Sequence, residues 1–333
     1  MKRFVLALLV AVPPALSAQE NTTTVIVGRV AVRGGGALPF ATVTINGKNQ
    51  QFTDSLGRFQ VEGIAAGNVT LRSRRIGISP AEQVVRIQRG DTVRVTLEMT
   101  RLAIRLPAVQ SIAHVCSKPG APGGDAEPGL VMLYQQLQQN AENFRLLSLA
   151  HPYVYATQRQ FVTTYRDSVI DRSPLEELTG TSAKAWKYEP GKMVFEKNAT
   201  TSMHLPTLAT FAEESFARSH CFYYAGTVDI DGQQMLRVDF APDAKLREPD
   251  VSGSIYLDPT NYQIRRSDVT LSKVPYHLSG QMTGHTVRTY FSEIMPGVPI
   301  IGAVRAEVAR LRDGEVLTEM QQVVQVHFVN GKP

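Results

Sequence analysis

Between residues 24 and 113, apolar and polar positions alternate with a period of two, in short runs bounded by Gly, Pro, Asn and Asp. In the clearest runs, residues 41–45 and 92–97, apolar side chains share one face and Thr or Arg takes the other. Further runs lie at residues 25–30, 58–61, 69–73 and 84–87. The pattern predicts a mainly β protein that begins with a seven-strand antiparallel β-sandwich.

The pattern changes after residue 114. Residues 118–129 contain three Pro and four Gly, which predicts a linker over residues 114–128. Beyond it, apolar residues recur every three or four positions, so residues 129–148 are predicted to form one amphipathic helix. Gln and Asn are expected on the solvated face of this helix. The apolar residues are Leu130, Leu133, Tyr134, Leu137, Ala141, Phe144 and Leu147.

The period returns to two after the helix. Eight strands are predicted, at residues 158–166, 220–230, 235–240, 251–257, 263–271, 285–291, 301–312 and 322–329. Residues 129–330 are therefore expected to form a curved antiparallel meander, or half-barrel, packed on one helix. The segment 173–211, which holds the single Trp186, is predicted to be irregular.

The N-terminus has the pattern of an export signal. Lys2 and Arg3 precede an apolar run at residues 4–12, and small residues at 15–18 provide a cleavage site. Residues 1–18 are therefore predicted to be a signal peptide. The expected location is the periplasm or the periphery of the outer membrane.

Five short motifs of the N-terminal region carry a family resemblance. They are Gly28-Arg29-Val30, Leu38-Pro39-Phe40-Ala41-Thr42-Val43-Thr44-Ile45, Thr53-Asp54-Ser55-Leu56-Gly57-Arg58-Phe59, Gly63-Ile64-Ala65-Ala66-Gly67 and Arg75-Ile76-Gly77-Ile78. This succession resembles the carboxypeptidase regulatory-like domain, a transthyretin-like (prealbumin-like) sandwich classed with carbohydrate-binding-like folds. The resemblance covers residues 24–113 and implies a non-catalytic module of Gram-negative bacteria. A fold of this kind does not define a function.

The second domain resembles the C-terminal β-rich regions attached to this module in uncharacterised exported proteins. The resemblance is carried by His220-Cys221-Phe222, by residues 238–242 and by residues 249–258. Its meander is also similar in pattern to half-barrels that carry lipoproteins or lipids in the periplasm.

Asp54 and Gly57 are predicted to form a structural turn. The Asp54 carboxylate can accept backbone N–H groups two or more residues on, and Gly57 can adopt the left-handed conformation that closes the turn. A calcium site is disfavoured because one carboxylate falls far short of the oxygen ligands that Ca²⁺ requires.

The composition, with 43% apolar and 20% charged residues, excludes a disordered or collagen-like chain. The formal net charge is +5, and much of the excess lies among eight arginines between residues 71 and 105. Since this stretch alternates like strands and lacks interleaved aromatic residues, we interpret the arginines as a solvated sheet face and expect no nucleic-acid partner. An acidic glycan or a lipid headgroup is the alternative partner of this face.

Catalytic motifs are absent from the sequence. None of the seven histidines has Glu three positions later, as a zinc carboxypeptidase requires, and no serine-hydrolase or phosphate-loop motif occurs. The sequence therefore predicts no enzyme, no catalytic residue, no metal and no cofactor. A hydrolase of unrecognised type remains an alternative, since catalytic groups can converge from distant positions.

Cys116 and Cys221 are expected to form a disulfide, the usual state of two cysteines in an oxidising compartment. Two free thiols are one alternative. A tetrahedral metal set of His114, Cys116, His220 and Cys221 is another, although adjacent strand residues point to opposite faces.

The functional expectation is a non-enzymatic envelope protein that binds a glycan, a peptide or a lipid. Its ligand-binding residues cannot be assigned from the sequence. An accessory protein that docks on an outer-membrane protein is the alternative. No internal apolar run reaches the length of a membrane helix, and Arg265, Arg266 and Asp268 interrupt a strand that would otherwise face lipid, so an integral membrane protein is not expected.

Overall fold

A computed structural model describes residues 23–106, 109, 115–124, 126–182, 187–197, 200–203, 206–278, 280–310 and 314–329. The predicted signal peptide, His114 and Trp186 lie outside the described residues. The described part of the chain forms two β-rich domains with a long helix between them.

The N-terminal domain contains strands β1 (Val25–Val32), β2 (Thr42–Ile45), β3 (Lys48–Phe52), β4 (Arg58–Glu62), β5 (Gly67–Arg75), β6 (Ile78–Ile87) and β7 (Thr92–Arg101). They form one sheet in the order β3-β2-β5-β6-β7-β1-β4. Because β6 and β7 share only two residue pairs, the sheet folds over at this point. Its enclosed core contains Ile26, Val30, Val43, Leu71 and Leu97.

The predicted antiparallel arrangement is wrong at one strand pair. β1 and β7 run parallel, in register from Val25 opposite Thr92 to Val32 opposite Met99, whereas the other neighbours are antiparallel. The sheet is therefore mixed. Alternation of apolar residues fixes which side chains face the core, but it carries no information about the direction of the neighbouring strand.

The C-terminal domain contains strands β8 (Tyr153–Tyr165), β9 (Ser168–Arg172), β10 (Glu176–Thr181), β11 (Val194–Lys197), β12 (Thr200–Met203), β13 (His220–Ile230), β14 (Gln233–Pro242), β15 (Val251–Leu257), β16 (Ile264–Leu271), β17 (Met282–Met295), β18 (Val298–Arg310) and β19 (Glu315–Phe328). A ten-stranded antiparallel sheet runs β10-β8-β19-β18-β17-β16-β15-β14-β13, with β9 beside β8. The meander from β13 to β19 was predicted. The insertion of β8 beside the last strand was not.

The segment predicted to be irregular is partly regular. It contains β10, the hairpin β11–β12 and a 3₁₀ helix at Leu208–Ala212, which is followed by the short helix α2 (Glu214–Ser219). The prediction of a single helix is therefore also incomplete. These elements are too short, at four to six residues each, for a hydrophobic period to identify them.

Helix α1 (Pro128–Ala150) covers one face of the C-terminal sheet. Its apolar side, including Leu133, Leu137 and Ala141, belongs to a core shared with Phe211 and Phe240. The predicted amphipathic helix is thus present, and it extends slightly beyond residues 129–148.

Most of the polar side of α1 is buried as well, so the expectation of a solvated Gln and Asn face holds only for Gln135 and, in part, for Gln138. The N-terminal domain and two loops of the C-terminal sheet cover this side. Gln136 accepts a hydrogen bond from the Gly77 N–H at 2.7 Å, and the Asn143 amide donates to the Gly297 carbonyl at 2.7 Å. The four buried amide residues are Gln136, Gln139, Asn140 and Asn143.

An apolar contact completes the junction between the domains. Phe40 and Phe52 of the N-terminal domain pack against a cluster that contains Leu147, Val298 and Ile300. The N-terminal domain is therefore seated on α1 and on one end of the C-terminal sheet.

Candidate functional site

A cavity of about 220 Å³ lies between the C-terminal half of α1 and the sheet. Phe144 and Ser148 line it from the helix, Tyr155 from β8, and Ile301 from β18. The 3₁₀ helix contributes Ala209. Because six separate elements build its wall, no continuous stretch of sequence marks the cavity, and the sequence analysis did not find it.

Three of the hydroxyl groups around the cavity bond to the protein backbone. Ser148 Oγ donates to the Phe144 carbonyl at 2.9 Å, and Ser182 Oγ accepts the Tyr153 N–H at 3.0 Å. Thr157 Oγ1 lies 3.4 Å from the Leu178 carbonyl. With these polar atoms engaged, the wall offers mainly methyl, methylene and ring surface.

Tyr153 lines the cavity and also belongs to the apolar contact between the two domains. Its ring is buried, packs edge-on against Phe328 and belongs to the cluster that receives Phe40 and Phe52. Burial raises the pKa of its hydroxyl to about 12, so this group is neutral at physiological pH.

Arg145 is the one charged side chain among the described residues that line the cavity. It is exposed on α1, and its guanidinium donates to the Glu142 carboxylate at 2.8 Å. The cavity therefore combines an apolar interior with a cation at its rim.

A second polar cluster, formed by Tyr188, His220 and Asp250, is fully enclosed. The Tyr188 hydroxyl donates to Asp250 at 2.7 Å, and both His220 ring nitrogens lie 3.0 Å from backbone carbonyl oxygens. Burial lowers the pKa of His220, while the nearby Asp250 carboxylate and the two carbonyls oppose that shift. Since the three side chains are at most 1% exposed, they hold residues 188–191 against β15 and offer no surface to a ligand.

Cys116 and Cys221 form a disulfide that links the segment before α1 to β13. The predicted pairing is thus present, and the alternatives of free thiols or thiolate metal ligands are wrong. Among the described residues, no group of three or more His, Cys, Asp or Glu side chains is arranged to hold a metal ion.

The Asp54 turn has the predicted geometry. Asp54 Oδ1 accepts the Leu56 and Arg58 N–H groups at 2.8 Å each, and Gly57 has a φ of 72°. The hydrogen bond from the Arg58 N–H is the main cause that lowers the pKa of Asp54. This site closes a turn and lies in the N-terminal domain, away from the cavity.

The arginines between residues 71 and 105 divide into two groups. Six are exposed, as expected of a solvated face: Arg72, Arg86, Arg89, Arg94, Arg101 and Arg105. Arg74 and Arg75 are instead half-buried, and burial lowers the pKa of both.

Within the described residues, no helix has the combination of length and hydropathy needed to cross a membrane.

Comparison with known families identifies the N-terminal domain. Residues 25–100 match the carboxypeptidase regulatory-like domain, which confirms the resemblance carried by the sequence motifs. The match covers less than a quarter of the chain, so it defines this domain and not the whole protein. No curated protein matches the chain.

Solved structures show only distant similarity. A LolA superfamily protein from Nitrosomonas europaea is 13% identical, with 60% of this chain and 94% of that chain covered and a TM-score of 0.32. A DUF1329 family protein from Desulfovibrio piger is 10% identical, with 60% and 95% covered and a TM-score of 0.32. TM-scores this low do not establish a shared fold.

Proposed function

We propose that this protein is an exported, non-enzymatic binding protein whose cavity receives the hydrocarbon chain of a lipid or lipid-modified molecule. The observation that carries the proposal is the apolar cavity between α1 and the sheet. Burial of apolar surface is the dominant driving force for such a ligand.

The cavity favours a hydrocarbon chain over a glycan or a peptide. Sugars and peptide groups need hydrogen-bond partners when they leave water. Ser148, Thr157 and Ser182 already engage backbone groups, as described above. A methylene chain needs no such partners.

The volume of the cavity is smaller than the roughly 300–1,000 Å³ of pockets that enclose a drug-sized ligand. Part of a long ligand would therefore extend beyond it. The strand register places Val304, Ala306 and Val308 of β18 in an apolar row on one sheet face, beside Gln321, Glu319 and Leu317 of β19. This half-buried apolar row offers a path along which the hydrocarbon chain of the ligand continues beyond the cavity.

We infer the cellular compartment of the protein from two independent features. The signal-peptide pattern directs export, and the Cys116–Cys221 disulfide suits an oxidising environment. We place the protein in the periplasm or at the periphery of the outer membrane, with the N-terminal domain as a non-catalytic module seated on the binding domain.

The test compares two alanine-to-tryptophan variants of the mature protein. Ala209→Trp fills the cavity from the 3₁₀ helix, whereas Ala66→Trp adds the same ring to an exposed loop between β4 and β5. Titration calorimetry with dodecyl maltoside, below its critical micelle concentration, should show binding that A209W weakens at least about tenfold and A66W leaves unchanged. Absence of binding, or equal binding by all three proteins, would overturn the proposal.

Native mass spectrometry provides a second test on the protein from its own cell envelope, purified without detergent. We expect a discrete added mass that an organic solvent extracts and that is reduced in A209W. A water-soluble sugar or peptide in its place would contradict the lipid assignment.

A docking protein of an outer-membrane machine is the second candidate function. Val169 and Ile170 on β9, together with Leu175, expose more than half of their surface at the sheet edge that β9 and β10 form beside β8. Apolar side chains grouped in this way are typical of protein interfaces. A photo-crosslinking residue at position 170, compared with one at exposed Ala66, would capture an envelope partner only if this edge is an interface.

A further inference from the structure

The two ends of the chain differ in charge. Residues 23–106 contain twelve Lys and Arg against five Asp and Glu, a net charge of +7, although the whole chain carries only +5. The N-terminal domain is therefore strongly basic, whereas the remainder is slightly acidic. A field of this size attracts anions to the surface of the domain.

Two of these cations lie on β5, whose end is beside α1. Arg72 and Arg74 are two residues apart on β5, so they share its outward face, while Leu71 and Ser73 are buried. Arg72 lies directly opposite Glu82 of β6, although neither arginine is within ion-pair distance of a carboxylate in the described part of the chain.

Hydrogen bonds place the end of β5 beside α1. The Arg74 carbonyl accepts a bond from Thr42 Oγ1 at 3.1 Å, and the Gln139 amide donates to the same hydroxyl at 3.4 Å. Glu142 lies one turn further along α1. Burial and repulsion by Arg72 lower the pKa of Arg74. The Glu142 carboxylate attracts the Arg74 guanidinium and partly offsets this shift.

The same carboxylate connects to the cavity. Glu142 accepts a hydrogen bond from Arg145, and Arg145 lines the cavity rim. Arg74 and Arg145 thus both interact with Glu142, while Arg72 lies opposite Glu82 of β6. The arginine cluster of Arg72, Arg74 and Arg145 therefore carries one more positive charge than these two carboxylates balance.

We propose that the arginine cluster binds an anionic headgroup, with phosphate as the favoured chemistry, on the molecule whose chain enters the cavity. This inference rests on the proposed function, since it names the ligand class of the same site as an anionic amphiphile. Guanidinium groups suit the role because their planar donors pair two at a time with phosphate oxygens.

The test uses two probes with the same twelve-carbon chain. Dodecyl phosphate and dodecyl maltoside are titrated into the mature protein below their critical micelle concentrations, and inorganic phosphate is titrated separately. We expect dodecyl phosphate to bind about tenfold more tightly than the maltoside, and inorganic phosphate to bind far more weakly than either.

Charge variants give effects of opposite sign. Arg72→Gln and Arg145→Gln should each weaken dodecyl phosphate binding about fivefold, by analogy with a basic residue near an anionic lipid surface. Both should leave dodecyl maltoside binding within about twofold. Glu142→Gln should tighten dodecyl phosphate binding, because it removes the competing carboxylate. Arg94→Gln, which removes an exposed charge on β7, is the matched control and should change neither affinity by more than about twofold.

The outcomes separate the two proposals. Equal affinity for both detergents, with no effect of R72Q, R145Q or E142Q, would overturn the headgroup inference and leave the cavity proposal standing. Binding of inorganic phosphate as tight as that of dodecyl phosphate would also overturn the headgroup inference, because the hydrocarbon chain of the probe would then contribute nothing to affinity. Failure of both detergents to bind would overturn the proposed function itself.

Discussion

The side-chain amide of Asn140 is hydrogen-bonded to the backbone on both sides of Gln263. Its Oδ1 accepts the Ile264 N–H at 2.9 Å, and its Nδ2 donates to the Tyr262 carbonyl at 3.0 Å. An amide in the middle of α1 therefore completes the hydrogen bonding of the turn before β16, as a neighbouring strand would.

Removal of this amide should destabilise the protein. Asn140→Ala leaves the N–H and the carbonyl of the turn buried without partners, which should lower the free energy of unfolding by about 2–4 kcal/mol. Urea unfolding followed by circular dichroism measures the change. Gln135→Ala on the exposed side of α1 should stay within about 0.5 kcal/mol of wild type, and an equal loss in both variants would contradict this account.

The disulfide should be a major source of stability. Cys116 and Cys221 are 105 residues apart, and closing a loop of this length is worth about 4–5 kcal/mol in the chain-entropy description. We expect the C116S/C221S double variant to lose most of this amount in urea unfolding. Thiol titration of the unfolded wild-type protein, without reductant, should find no reactive thiol in the mature chain, and two reactive thiols would refute the pairing.

Two glycines allow a matched test of the Asp54 turn. Gly57 and Gly63 both have left-handed backbone, with φ values of 72° and 71°. A Cβ on Gly57 would lie 2.7 Å from the Val30 carbonyl oxygen, whereas one on Gly63 would meet nothing within 4 Å. Gly63→Ala should therefore cost about 1 kcal/mol and Gly57→Ala about 3 kcal/mol or more, measured by thermal unfolding. Equal costs would show that the close contact is unimportant.

Acid should weaken the fold through His285. This side chain is buried on β17 opposite Val308, and burial lowers its pKa from 6.5 to about 4. Between these values the unfolded chain binds a proton that the folded chain does not, so stability falls as the pH drops from about 6.5 to 4, by about 3 kcal/mol.

Comparison with a variant that lacks the titrating ring isolates this effect. His285→Leu should lose about 3 kcal/mol less than wild type over the same pH range, because the remaining titrating groups are common to both proteins. His327→Gln, at an exposed position, should behave like wild type. Identical pH profiles for H285L and wild type would rule out the assignment.

Several features could be predicted because their causes are local. Two predicted strands, residues 220–230 and 251–257, coincide with β13 and β15, since alternating apolar residues and flanking turns define them. The turn at Asp54 follows from the hydrogen bonds of a single carboxylate with residues up to four positions ahead.

The errors arise where distant segments meet. Gln136 and Asn140 look like solvated residues in a helical pattern, but a second domain and a distant turn cover them. In the same way, β8 pairs with β19 across more than 150 residues. The hydrophobic period of a segment shows that one face of a helix is polar. It does not show whether water or the backbone of another segment forms the hydrogen bonds of that face.

The sequence by itself determined the mainly β composition, the family of the N-terminal domain and the turn at Asp54, because neighbouring residues carry each of these signals. Only the tertiary structure decided the parallel pairing of β1 with β7, the burial of four amide side chains of α1 and the cavity with Arg145 at its rim. The physical reason is that a cavity and an interface are spaces between elements. Their shape depends on how the chain closes over long separations, which no local pattern encodes.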